Sequence, residues 1–225
     1  PLETTSFGVI AEIKFSAPSA GILRKEADPI AAAVEQAIAY QSAGASAISV
    51  LTEPSRFSGC LEHLEAVASA VDIPVMRKDF LVDPIQVKEA RAHGASGVLL
   101  IVRMLNDVQL ESMVREARNS GMFVLLEAFD DDEIRRAQQF QGVLVGLNCR
   151  DLQTLAVEPS RFSELAQVFS TDHVRVAESG IADAHDIQKV VSLGYGMALV
   201  GSALMQSDDP TTLLRDMIRK GREET

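Results

Sequence analysis

A chain of 225 residues, 47% hydrophobic and 24% charged, suits one α/β barrel and is short for two independent domains, so a single domain over 1–225 is expected. Lys+Arg 21 against Asp+Glu 32 leaves a net charge of -11, which repels nucleic acid and anionic membrane and argues against either as a partner. The longest apolar runs, such as 97–102, are too short to cross a bilayer and no basic-then-apolar leader opens the chain, so a cytoplasmic protein is expected.

The same unit recurs along the chain: an apolar run ending in polar groups, a helical stretch, then often Gly-Ala or Gly before the next run. Strand-like runs fall at 9–14, 47–53, 74–80, 97–102, 122–128, 142–150, 174–180 and 197–202. Helical patterns follow them at 31–43, 61–71, 84–93, 107–120, 131–140, 160–169, 184–193 and 210–220. The runs are rich in Val, Leu and Ile rather than strictly alternating, as parallel strands covered by helices should be. Repeated units with no Pro- or Gly-rich linker predict parallel βα architecture closing into a (β/α)8 TIM barrel. The competing doubly wound sheet lacks its usual mark, since no GxGxxG follows Lys14.

In a closed barrel the strand C-termini converge on one mouth, where catalytic groups of this fold sit. The first run ends in Glu12 and Lys14, two apart and therefore on one face. The second ends in Thr52 and Glu53. In the third, Met76, Lys78 and Phe80 share one face while Arg77 and Asp79 share the other. The fifth ends in Glu127, the sixth in Asn148 and Arg150, the seventh in Glu178-Ser179. Any one of these alone reads equally well as a solvated strand end or a stabilising ion pair. Together, Lys14, Lys78 and Arg150 offset Glu12, Glu127 and Glu178 around one rim, the mixture from which acid–base sites are made.

The last two units differ in kind. Gly180 follows strand seven, and Gly201 with Ser202 follows strand eight. Backbone N–H groups there, backed by a short helix, predict a phosphate cradle and hence a phosphorylated small-molecule substrate. The histidines His63, His93, His173 and His185 show no metal spacing and are expected at the surface. Cys60 and Cys149 make no CxxC pair, which fits a reducing compartment, and Cys149 should point away from the mouth as a packing residue. Residues 130–133 read as a solvated acidic helix start.

Six blocks carry a family resemblance: Ala11-Glu12-Ile13-Lys14, Ser49-Val50-Leu51-Thr52-Glu53, Arg77-Lys78-Asp79-Phe80, Gly146-Leu147-Asn148-Cys149-Arg150-Asp151-Leu152, Glu178-Ser179-Gly180-Ile181 and Leu199-Val200-Gly201-Ser202. In this order, over about 9–205, they resemble indole-3-glycerol-phosphate synthase, with RKDF and ESGI the most specific. The resemblance implies a barrel enzyme of tryptophan biosynthesis, a decarboxylating carbon–carbon lyase. It would close the pyrrole ring of 1-(2-carboxyphenylamino)-1-deoxyribulose 5-phosphate with loss of carbon dioxide and water. It implies no metal or organic cofactor, and the chain is expected to act as a monomer.

The resemblance also implies roles. Lys78 would be the general acid at the substrate carbonyl and Glu127 the acid/base partner for dehydration. Glu12 and Glu178 would orient these groups and hold charge, and Asn148 would bind sugar hydroxyls. Lys14 and Arg150 would neutralise the departing carboxylate, with Ser179 near the reacting centre. Phe57 and Phe80 would sandwich the anthranilate ring, and Gly180, Gly201 and Ser202 would hold the phosphate. This chain departs from the family pattern Lys-x-x-Ser-Pro-Ser-Lys-Gly after the first strand. Here Ala17 stands for the serine, Phe15 and Ala20 stand at neighbouring basic positions, and Phe129 stands where histidine is frequent. The chain starts shortly before its first strand, so the family's N-terminal helical segment is expected to be lost or trimmed. The altered loop raises an alternative, a paralogue in specialised metabolism acting on a related aryl-amino sugar phosphate. A catalytically silent barrel that binds a phosphometabolite is a further alternative.

Overall fold

The structure is a computed structural model that describes residues 6–151 and 153–223; Leu152 of the sixth-strand block lies outside the described residues. In chain order the strands are β1 Gly8–Ile13, β2 Ser16–Ala17, β3 Gly21–Ile22, β4 Ala47–Leu51, β5 Val75–Lys78, β6 Gly97–Ile101, β7 Phe123–Ala128, β8 Leu144–Asn148, β9 Val174–Glu178 and β10 Met197–Val200. The helices are α1 Pro29–Ala43, α2 Pro54–Phe57, α3 Leu61–Ala70, α4 Pro84–Ala92, α5 Asp107–Asn119, α6 Asp131–Ala137, α7 Arg161–Leu165, α8 Ala184–Ser192, α9 Ser202–Gln206 and α10 Pro210–Glu223. All strands but β2 and β3 form a closed parallel barrel of 8 strands in the order β1-β10-β9-β8-β7-β6-β5-β4, with β4 returning to β1. This is a TIM barrel.

Local chemistry explains why the units repeat. Asp28, Asp83, Asn106, Asp130 and Asp183 each precede a helix and accept hydrogen bonds from its first free amides. Such caps contribute about 1 kcal/mol each. Pro29 and Pro84 sit at the first helical turn, where a missing N–H costs nothing. At the other end of α1, Gly44 adopts φ 95°, a left-handed cap that a side chain would strain.

Strand alternation sorts the core into two shells. Ile10, Met76, Leu99, Leu125, Leu144, Val176, Met197 and Leu199 fill the barrel interior. Their neighbours in sequence, among them Val9, Val75, Val98, Leu126, Val145, Ala177 and Ala198, pack outward under the helices. The inward face continues upward two residues at a time, so Ile10 leads to Glu12, Met76 to Lys78, Leu125 to Glu127 and Val176 to Glu178. The apolar plug thus ends in a polar layer.

Several local expectations change. The first loop holds an antiparallel pair, β2 with β3, in register Ser16↔Ile22 and Ala17↔Gly21. Strands of two residues have no periodicity to read. The helix expected over 160–169 shortens to α7 and a 3-10 turn at Ala166–Val168, and that over 131–140 stops at Ala137. His63 and His173 are buried rather than at the surface. His63 packs edge-on to Phe15 at 5.3 Å, and His173 Nε2 lies 3.1 Å from the Phe140 carbonyl. Glu133, in the stretch read as solvated, is also buried, accepting from the Phe129 N–H and the Arg103 guanidinium. Among the described residues no helix is long and apolar enough to cross a membrane.

Candidate active site

Three strand tips bring opposite charges together at the floor of the mouth. Lys78 Nζ donates to Glu127 Oε2 at 2.9 Å and lies 3.6 Å from Glu178 Oε2. Both carboxylates are almost fully buried, with side chains 3% and 1% exposed. Burial alone would favour the uncharged form of each member. For Lys78 that effect is outweighed by Glu127, Glu178 and Glu12, which hold its pKa above the ordinary lysine range. For Glu127 burial is outweighed by the Lys78 charge, and its pKa is lowered. Glu178 goes the other way: burial and then the Glu127 charge push it well above the usual carboxylate range, although Lys78 opposes this. Two carboxyls beside one ammonium therefore have their proton affinities driven in opposite directions.

Every other residue singled out for the site lines the same depression. Lys14 Nζ pairs with buried Glu12 Oε1 at 2.6 Å. The Asn148 side-chain carbonyl accepts the Arg150 backbone N–H at 2.9 Å, and the Arg150 guanidinium donates to the Leu155 carbonyl at 3.0 Å. Across the opening, Ser179 and Gly180 take left-handed φ values of 63° and 76°, turning the chain sharply after β9. Gly201 and Ser202 lead into α9 from β10. Phe57 and Phe80 stand at the rim with ring centroids 6.4 Å apart and planes tilted by 48°. That is the spacing of two rings in direct contact, about 4.5–7 Å. At this spacing the two rings adjoin each other, and an open slot for the anthranilate ring between them is not preformed.

Not every strand-end group faces the mouth. Thr52 turns outward, donating to Asp79 Oδ2 at 2.6 Å and accepting from Arg77 Nε at 3.0 Å. Arg77, 4% exposed, also donates to Gln86 O, Glu89 Oε2 and Asp79 Oδ2. Asp79 Oδ1 in turn accepts the Phe80 N–H at 2.8 Å. These outward groups clamp the tip of β5 from behind, so that Lys78 and Phe80 project forward. Arg77→Met leaves the Asp79 carboxylate without its cation and should cost about 3 kcal/mol of stability, read as a lowered urea midpoint. Glu53 caps α2, accepting from the amides of Ser55 and Arg56.

Sequence reasoning missed the apolar wall of the depression, Leu99, Ile101 and Leu199, although their inward alternation was available as a signal. Phe129 is buried in the interior cluster, with the Arg103 guanidinium carbon 4.0 Å from its ring centre. Phe15 and Ala17 are buried beside the mouth, and Ser16 Oγ donates to the Arg56 carbonyl at 2.9 Å. Cys149 packs in the outer shell, where burial pushes its thiol up to about 12.

A sequence model of the family described as indole-3-glycerol phosphate synthase matches residues 2–217. The chain belongs to the indole-3-glycerol phosphate synthase family. It is 43% identical over 220 residues to the indole-3-glycerol phosphate synthase of Mycolicibacterium smegmatis, covering 98% of this chain and 79% of that protein. The Beutenbergia cavernae protein of the same name is 44% identical over 216 residues, covering 96% and 78%. Among solved structures, 3-hexulose-6-phosphate synthase from Salmonella typhimurium superposes with TM-score 0.78 at 14% identity, over 97% of this chain and 100% of that one. Phosphoribosylanthranilate isomerase from Thermotoga maritima does so with TM-score 0.67 at 10% identity, over 96% and 99%. Those two likenesses concern the barrel alone. Indole-3-glycerol phosphate synthases are decarboxylating lyases of tryptophan biosynthesis.

Proposed function

We propose that this chain is an indole-3-glycerol phosphate synthase, closing the pyrrole ring of 1-(2-carboxyphenylamino)-1-deoxyribulose 5-phosphate. The observation that carries the reading is the Lys78 ammonium held between Glu127 and Glu178 at the mouth of a barrel of this family. Lys78 donates its proton to the ribulose carbonyl oxygen as the ring carbon bearing the carboxylate attacks the carbonyl carbon. Carbon dioxide leaves from that ring carbon, and its bonding electrons restore the aromatic ring. Glu127 then takes the proton released from the neighbouring carbon and returns it to the new hydroxyl, which leaves as water, while Lys78 regains its proton from solvent. Opposed demands on two carboxyls are met by environments that drive their pKa values apart, as they are for Glu127 and Glu178.

Lys14, paired with Glu12, and Arg150 supply positive charge for the carboxylate before it leaves. Asn148 meets the sugar hydroxyls, Ser179 lies near the reacting centre, and Phe57 with Phe80 offers the aryl ring an aromatic wall. The phosphate rests at Gly180, Gly201 and Ser202, where the first amides of α9 have no carbonyl within the helix to bond. The reaction as proposed draws on groups of one chain, and a monomer is the form expected to carry it out. Two unpaired cysteines fit a reducing cytoplasm.

One observation favours a related aryl-amino sugar phosphate instead: Ala17, buried in β2, offers no hydroxyl where the family pattern has serine. Fluorescence of the indole product under steady-state conditions decides between them. Turnover of the standard substrate is expected from the chain as it stands. Turnover of an analogue alone would favour the paralogue. No turnover of either, with or without Ala17→Ser, would leave the silent phosphate-binding barrel.

A further inference from the structure

We infer that Gly146 is a positioning residue: by carrying no side chain at an inward position of β8, it makes the seat in which the Glu178 carboxyl lies beside Lys78 and Glu127. β8 runs between the strands that bear the two carboxyls, with Gly146 in register with Glu127 on one side and Val176 on the other. Inward positions alternate along it as Leu144, Gly146 and Asn148, with Leu144 in the interior plug and Asn148 on the mouth. A Cβ at Gly146 would overlap Glu178 Oε1 outright, and would lie 3.1 Å from its Cδ and 3.2 Å from Leu125 Cδ1. Gly146 is not among the glycines with positive φ, so its backbone is one that alanine also adopts. Space, not conformation, demands glycine here.

The seat matters because little else holds the carboxyl. Among the described residues no N–H or hydroxyl donor bonds either Glu178 oxygen; its polar neighbours are the Glu127 carboxyl, with which it can share a proton, and Lys78 Nζ 3.6 Å away. Glu127, by contrast, is tied by a direct hydrogen bond. The device recurs at the other ion pair. A Cβ on Gly201, whose φ is -126°, would overlap Glu12 Oε1 and lie 2.9 Å from its Cδ. Each of these two carboxyls rests over a missing side chain, one within a neighbouring strand and one just past the end of a neighbouring strand.

The inference rests on the proposed ring closure only for its kinetic readout. Gly146→Ala should lower kcat about 100-fold, the usual cost of shifting a reacting group by about 1 Å, while leaving KM little changed. In the Glu178→Ala background the same substitution should change kcat by less than about twofold, since no carboxyl remains to displace. Melting temperatures form a second cycle that needs no activity: Gly146→Ala should lower the transition, and adding Glu178→Ala should restore most of the loss. An equal fall in kcat in both backgrounds, or an equal fall in melting temperature, would overturn the inference, as would an unaffected single variant. If Gly146→Ala does not fold, the double variant still must. A wild-type chain without turnover would sink the ring-closure reading alone, with the melting cycle still deciding the seat.

Discussion

Lys78→Ala should lower kcat for ring closure by about 10³–10⁴-fold, the upper part of the range for losing a positioned general acid. Two effects coincide in that substitution. The proton donor is gone, and the carboxyls of Glu127 and Glu178 lose the cation that makes their joint burial tolerable. With no ammonium beside it, Glu127 should retain its own proton to a higher pH, so the base weakens as the acid disappears. Affinity for an unreactive phosphorylated analogue should be largely kept, because the glycine turns after β9 and β10 are untouched. The check is single-turnover indole fluorescence beside calorimetric binding of the analogue. Activity near wild type would remove Lys78 from the mechanism. Because the neighbouring carboxylates hold its pKa above the ordinary lysine value, deprotonation of Lys78 should not set an alkaline limit to activity below that value.

Glu127→Gln should lower kcat by about 10²–10³-fold with little change in KM, since a neutral amide keeps the shape but cannot accept the proton lost in dehydration. The variant also reports on its neighbour. Once the Glu127 charge is removed, Lys78 remains beside Glu178, so the raised pKa of Glu178 should fall. Carbon-13 NMR of the glutamate carboxyls follows this directly. The two carboxyls also have opposite linkage to folding. Glu127, depressed in the fold, contributes stability above its unfolded pKa and loses it as pH falls through its folded value. Glu178, raised in the fold, costs stability as pH climbs from its unfolded pKa through its folded one. In Glu127→Gln the first dependence should vanish and the second should weaken. An unchanged acid limb in chemical denaturation would contradict that assignment.

Much of the barrel was legible because one physical rule generates it. Apolar runs closed by Gly44-Ala45 or Gly94-Ala95 mark successive units, and alternation places Glu12, Lys78, Glu127 and Glu178 on the inner face directly above apolar residues. What stayed hidden depends on partners distant in sequence. Thr52 sits at a strand end as Lys78 does, yet Arg77 and Asp79 draw it outward. His63 and His173 look like surface residues until Phe15 and the Phe140 carbonyl enclose them. The β2–β3 pair is too short to have a period. Gly146 reads as an ordinary weak point in a strand, because its importance lies in an atom that belongs to residue 178.

The tip of β5 has a consequence for engineering. Within four successive residues, one side of the backbone presents Lys78 to the Glu127 carboxylate while the other fastens the strand to α4 through Glu89 and the Gln86 carbonyl. Transplanting the lysine by itself into a foreign barrel would deliver a charge without its anchorage, free to swing toward bulk water. The portable module is the tetrapeptide together with the opening turns of the succeeding helix, and exchange between enzymes should succeed only when that whole cassette travels.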